Sequence, residues 1–67
     1  MPTIILEASK MTKEQKETLI EGFTRLASET LNIPVQAFHV YLRENDPDNI
    51  GTGGKMLSKI HAERNVK

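Results

Sequence analysis

No cysteine occurs in this sequence, so neither a disulfide staple nor thiolate chemistry is available to it. Only two histidines are present, His39 and His61, and their separation argues against a closed structural metal site. Neither sign of charge is in excess: nine Lys and Arg balance nine Asp and Glu, for a formal net charge of zero. A nucleic-acid-binding surface carries a basic excess, so that class of partner is set aside. No apolar run approaches the ~20 residues of a membrane span, which sets a membrane partner aside too. The start lacks a basic region followed by an apolar region of signal-peptide length, and the expected location is the cytoplasm. No internal repeat, linker or low-complexity segment interrupts the chain. Length is short as well. Residues 1–67 are expected to form one domain. A domain of this size buries only about 60% of the surface its unfolded chain exposes. Small scaffolds without staples commonly gain stability by oligomerising.

What is present begins at the first residues, Met1-Pro2-Thr3-Ile4-Ile5-Leu6. If Met1 is removed, the Pro2 ring nitrogen becomes a secondary amine. An α-amino group titrates nearer neutrality than a lysine. At the lip of an apolar pocket its charged form loses solvation, which lowers its pKa toward the working range of a general base. Met-Pro is also a common way to begin a protein, and taken by itself it carries no more than that.

Residues 3 to 8 read as a strand, short and led by β-branched side chains. Thr12 followed three residues later by Gln15 has the form of a capping box and opens a helix. Leu19, Ile20, Phe23, Leu26, Ala27 and Leu31 recur at helical spacing and predict one apolar face. The helix is expected to end near Asn32, because Pro34 disfavours the α conformation at Ile33. Val35 to Ala37 fits one short turn. From Phe38 to Glu44 the pattern alternates by two, a second strand with Phe38, Val40 and Leu42 on one side and His39, Tyr41 and Arg43 on the other. Asn45 to Asn49 is turn chemistry, and Gly51-Thr52-Gly53-Gly54 predicts a tight turn or hairpin. Lys55 to Ile60 fits a short strand or a terminal helix equally. His61 to Lys67 is polar and expected to fray.

Strand, long helix and strand in this span predict an α+β fold built on a single βαβ unit with parallel strands. One helix covers one face of the two-stranded sheet. Parallel sheets are normally covered on both faces, so the other face needs a partner, and a second copy supplies it most simply. A homo-oligomer is expected from this deficit.

Two local motifs fail on inspection. Gly53-Gly54-Lys55 resembles the end of a phosphate-binding loop, but Asn49 and Met56 stand where that loop needs Gly and Ser or Thr. Asp46-Pro47-Asp48-Asn49 lacks the glycine and closing Glu of a calcium loop. His39 fits two roles: a strand or subunit-contact residue, or a substrate-polarising or acid group in a site shared between subunits. Arg43, on the same strand face, is either an ion-paired strand end or a carboxylate clamp. Lys10 is either solvated or meets an anion from its loop.

Four pieces of sequence together carry a resemblance: Met1-Pro2 before an apolar strand, Thr12-Lys13-Glu14-Gln15-Lys16-Glu17-Thr18-Leu19-Ile20, Asn32-Ile33-Pro34, and Asn49-Ile50-Gly51-Thr52-Gly53-Gly54. In this order and at this length the chain resembles the 4-oxalocrotonate tautomerase family, the small-subunit branch of the tautomerase superfamily. The resemblance implies a βαβ fold assembled as a hexamer built from dimers. It also implies removal of Met1 and a Pro2 nitrogen that shuttles a proton between carbon and oxygen of an enol, with no metal or organic cofactor. The substrate class implied is a small enol or keto acid.

Departures from the family pattern accompany the match. The best-known members use one arginine in the loop after the first strand and one on the second strand. Here Lys10 and Met11 occupy that loop, and His39 stands on the strand. Ile50 replaces the aromatic residue before the glycine turn. Lys and His do not reproduce a bidentate guanidinium. Pro2 as catalytic residue therefore carries over directly, and substrate binding falls to Lys10, His39, Arg43 and Ile50. The alternative is a family-fold oligomer whose catalysis has diverged or been lost; a third reading keeps Pro2 but changes the reaction to hydration or decarboxylation.

Overall fold

A computed structural model describes residues 1–65. In chain order it holds β1 (Thr3–Ala8), α1 (Lys13–Leu31), β2 (His39–Glu44), β3 (Gly51–Thr52), β4 (Lys55–Met56) and α2 (Leu57–Asn65). Single 3₁₀ turns at Val35–Ala37 and Pro47–Asn49 flank β2. β1 and β2 pair in parallel, from Thr3 opposite His39 to Ala8 opposite Glu44. The βαβ unit is thus as expected, with β2 beginning one residue later than the alternation suggested. Phe38 instead closes the preceding turn by donating its N–H to the Val35 carbonyl at 3.2 Å.

Local chemistry sets both ends of α1. The Thr12 hydroxyl accepts the Gln15 N–H at 3.1 Å, and the Gln15 side chain accepts the Thr12 N–H at 2.9 Å. These reciprocal bonds satisfy two donors that a helix start leaves free. At the other end Asn32 turns left-handed (φ 57°, ψ 47°), a conformation a short polar side chain tolerates. Pro34 follows, and the helix stops.

The apolar stripe of α1 is only partly covered. Leu19, Phe23 and Ala27 are half-buried, whereas Ile20, Leu26 and Leu31 are exposed. Strands lie only ~4.8 Å apart, so two of them are too narrow to cover the full width of the stripe. Within the sheet, Ile4, Leu6, Val40 and Leu42 alternate inward as half-buried residues. Ile5 and Tyr41, side by side on the other face, are each about half exposed. Among the described residues none is fully buried. The radius of gyration is 15.9 Å, where a compact chain of this length has about 11 Å.

Beyond β2 the expected hairpin is present. Gly51–Thr52 pairs antiparallel with Lys55–Met56. Gly53 (φ 59°) and Gly54 (φ 82°) make the turn, in a region where a Cβ is strained. The ambiguity over residues 55 to 60 resolves into both forms: Lys55–Met56 is strand, and α2 begins at Leu57. Its first N–H is donated to the Ile50 carbonyl at 2.7 Å. His61 to Asn65 continues this helix, contrary to the expected fraying; the last two residues of that stretch lie outside the described residues.

Candidate active site

Pro2 sits immediately before β1 and is half-buried. Its carbonyl accepts the His39 N–H at 3.1 Å, which extends the parallel ladder by one bond. Pro2 and His39 are therefore brought together at one end of the sheet. Met1 projects away at 90% exposure. While Met1 is attached, the Pro2 nitrogen is a tertiary amide with no basic lone pair; its removal creates the amine.

The remaining expected site residues gather at the opposite end. Arg43 lies four residues beyond His39 on β2, a separation of about 13 Å along a strand. Its guanidinium meets a Glu7 carboxylate oxygen at 3.6 Å. The other Glu7 oxygen accepts from the Asn45 side-chain amide at 3.2 Å. Arg43 thus realises the ion-paired alternative in the free chain. Ile50 is half-buried in a cleft of about 410 Å³, whose walls include Glu7, Ala8, Asn45, Leu57 and His61.

Lys10 lies in the link between β1 and α1 and is exposed. It borders two open grooves, one running along Met11, Gln15 and Leu19, the other along Glu44, Asn45 and Pro47. This link is held on both sides. The Ala8 carbonyl accepts the Asn45 N–H at 2.7 Å, and a Glu44 carboxylate oxygen accepts the Met11 N–H at 2.8 Å. That same oxygen meets the Lys16 ammonium at 3.2 Å. The Met11 amide, then the Lys16 ammonium, hold the Glu44 carboxyl below its ordinary value, with Lys10 adding a smaller attraction.

Glu44 and His61 are the neighbours that sequence reasoning missed. Glu44 reads as a strand end, and only the folded register brings it against Met11. For His61, the four-residue spacing from Leu57 was an available signal, since that spacing puts both on one helical face.

Glu44 also sets a pH dependence. A carboxyl whose folded pKa is depressed contributes stability above its unfolded value, about 4.3, and loses it as pH falls through the folded one. At neutral pH Glu44→Gln is expected to melt below the parent protein. The gap should close as the pH of thermal melts is lowered below about 4.

Among the described residues no group of three or more His, Asp or Glu side chains is arranged to hold a metal ion. No helix there is long and apolar enough to cross a membrane.

The family model described as tautomerase enzyme matches residues 3–60. The 2-hydroxymuconate tautomerase of Pseudomonas fluorescens is 35% identical over 48 residues, covering 72% of this chain and 76% of that protein. Among solved structures, TomN, a 4-oxalocrotonate tautomerase homologue in the tomaymycin biosynthetic pathway, superposes with a TM-score of 0.86. It is 29% identical, covering 91% of this chain and 95% of TomN. DmpI from Helicobacter pylori gives a TM-score of 0.78 at 32% identity, over 87% of this chain and 98% of its own. With a βαβ unit of this register and a family match over nearly its whole length, the chain belongs to the 4-oxalocrotonate tautomerase family and is a tautomerase enzyme.

Proposed function

We propose that this enzyme interconverts the enol and keto forms of a small anionic carbonyl compound, with the Pro2 nitrogen, freed of Met1, as the proton carrier. The unprotonated nitrogen takes the enol O–H proton. The oxygen lone pair forms the C=O bond, and the displaced π electrons take the proton back from the nitrogen at carbon. The base is regenerated within one turnover, and no redox partner is needed. What supports this reading most is the way Pro2 is held. Its carbonyl is tied to His39 at 3.1 Å, a bond that does not involve the ring nitrogen. The strand thus orients the amine without occupying it.

One copy supplies only half of such a site. Pro2 and His39 lie at one end of the sheet, whereas Lys10, Arg43 and Ile50 lie toward the other. The active form is a homo-oligomer, a hexamer by family resemblance, in which the Pro2 end of one copy meets the Arg43 end of another. Ile50 helps exclude water from the amine, which favours its neutral form. His39 polarises the carbonyl, and Arg43 holds a substrate carboxylate. The exposed Glu7–Arg43 pair is worth little in water, so a substrate carboxylate displaces Glu7 at small cost. The cytoplasm is the proposed location, and residues 1–67 act as one domain.

Ketonisation of 2-hydroxymuconate, followed by its ultraviolet absorbance, is the direct test. Turnover that disappears when Met1 is retained supports the reading, whereas equal turnover with Met1 in place refutes it. A charge-assisted hydrogen bond is worth about 1.5–3 kcal/mol. Arg43→Ala is accordingly expected to raise KM for this dianion by roughly ten- to a hundredfold with kcat little changed. An unchanged KM would remove Arg43 from the site.

A further inference from the structure

We propose that Glu44 is a positioning residue for Lys10, setting substrate affinity by clamping the three-residue arch Ser9–Met11 to the end of β2. This rests on the reading of Lys10 as a substrate contact. The arch has two anchors on adjacent residues of the chain leaving β2. Asn45 donates its N–H to the Ala8 carbonyl before the arch, at 2.7 Å. Glu44 accepts the Met11 N–H at its far side, at 2.8 Å. Lys10 stands between them, exposed on the ridge that separates two grooves.

The first anchor is backbone to backbone and present in any sequence that pairs these strands. The second depends on one side chain. Without it, the Met11 N–H loses its partner and the arch hangs between Ala8 and the Thr12 cap. Ser9, Lys10 and Met11 then sample more conformations, and an ammonium on a long flexible stem gains further freedom. A substrate that uses Lys10 must then supply the ordering that Glu44 supplies here. Such ordering affects the bound ground state and transition state alike, so its loss appears in KM and not in kcat.

Lys16 provides the control. Its ammonium meets the same Glu44 oxygen, but it sits on α1 and does not hold the arch. If Glu44 acted only as one half of an ion pair, removing Lys16 would reproduce the effect of removing Glu44.

The experiment is a KM and kcat series with 2-hydroxymuconate on the intact oligomer. Glu44→Ala is expected to raise KM by about tenfold, within the loss that ~1 Å misplacement of a binding group produces. Glu44→Gln, which keeps an acceptor for the Met11 N–H, should recover most of that loss. Lys16→Met should stay within about twofold, since the Met11 anchor survives. Lys10→Ala should raise KM alone, and adding Glu44→Ala to it should change nothing further, the coupling expected of residues acting as a unit. Amide exchange at Met11 should accelerate in Glu44→Ala but not in Lys16→Met. Two results overturn the proposal separately. If Lys10→Ala raises KM and the double variant is additive, Glu44 does not act through Lys10. If Lys10→Ala leaves KM unchanged, the reading of Lys10 fails and takes the proposal with it, while Pro2 chemistry stands.

Discussion

Pro2→Ala is expected to lower kcat/KM by roughly 100- to 10,000-fold, the range that a positioned general acid–base group contributes. The fold should be unaffected, because the Pro2 hydrogen bond in the ladder uses its carbonyl, which alanine retains. The loss is therefore chemical. Alanine offers a primary amine that no ring holds in place, so the nitrogen differs in basicity and its lone pair is free to turn about the N–Cα bond. Steady-state rates measured beside a circular dichroism melt separate the two effects. A variant with parental melting and parental rate would remove Pro2 from the mechanism.

The second large effect concerns assembly. Ile5 and Tyr41 lie side by side on the uncovered face of the sheet at 50% and 52% exposure. Leu26 and Leu31 add further uncovered apolar surface on α1 at 66% and 55%. A chain that leaves so much apolar surface in water, with no side chain fully buried among the described residues, gains little from folding alone. Ile5→Arg sets a charge in the middle of the sheet face. Burying that charge without a partner costs several kcal/mol, enough to dissociate a small oligomer. The expected outcome is a species of single-chain mass in sedimentation and loss of nearly all turnover, with the Pro2 residue itself untouched. A single-chain species that keeps the parental rate would mean that one copy holds a complete site.

Much of this architecture is legible in the chain because its signals are local. Thr12 and Gln15 announce the helix start through a reciprocal bond three residues apart, and both bonds form. Gly53 and Gly54 announce a hairpin because both take positive φ. The alternation of β2 is equally direct, since the side-chain period of a strand is two. What was not legible depends on partners. The stripe from Leu19 to Leu31 has the spacing of one buried face, yet how much of it is covered depends on sheet width, which no helix encodes. The start of α2 was ambiguous because Lys55–Met56 is too short a strand to show a period.

The site divides along the same line. That Pro2 and His39 are neighbours follows from parallel pairing. That Arg43 and Ile50 lie toward the far end of the same copy is also a matter of register. The tie from Glu44 to Met11 spans 33 positions, so no local pattern could announce it.

A titration of the Pro2 nitrogen by NMR, on oligomeric protein whose mass shows that Met1 is gone, tests its role as proton carrier most directly. The proposed roles of Pro2 and Ile50 require one titrating secondary amine with a pKa well below that of an ordinary prolyl amine, since an apolar wall would desolvate its charged form. An unshifted value would contradict them, since a solvated amine stays protonated at neutral pH and cannot take the proton from an enol.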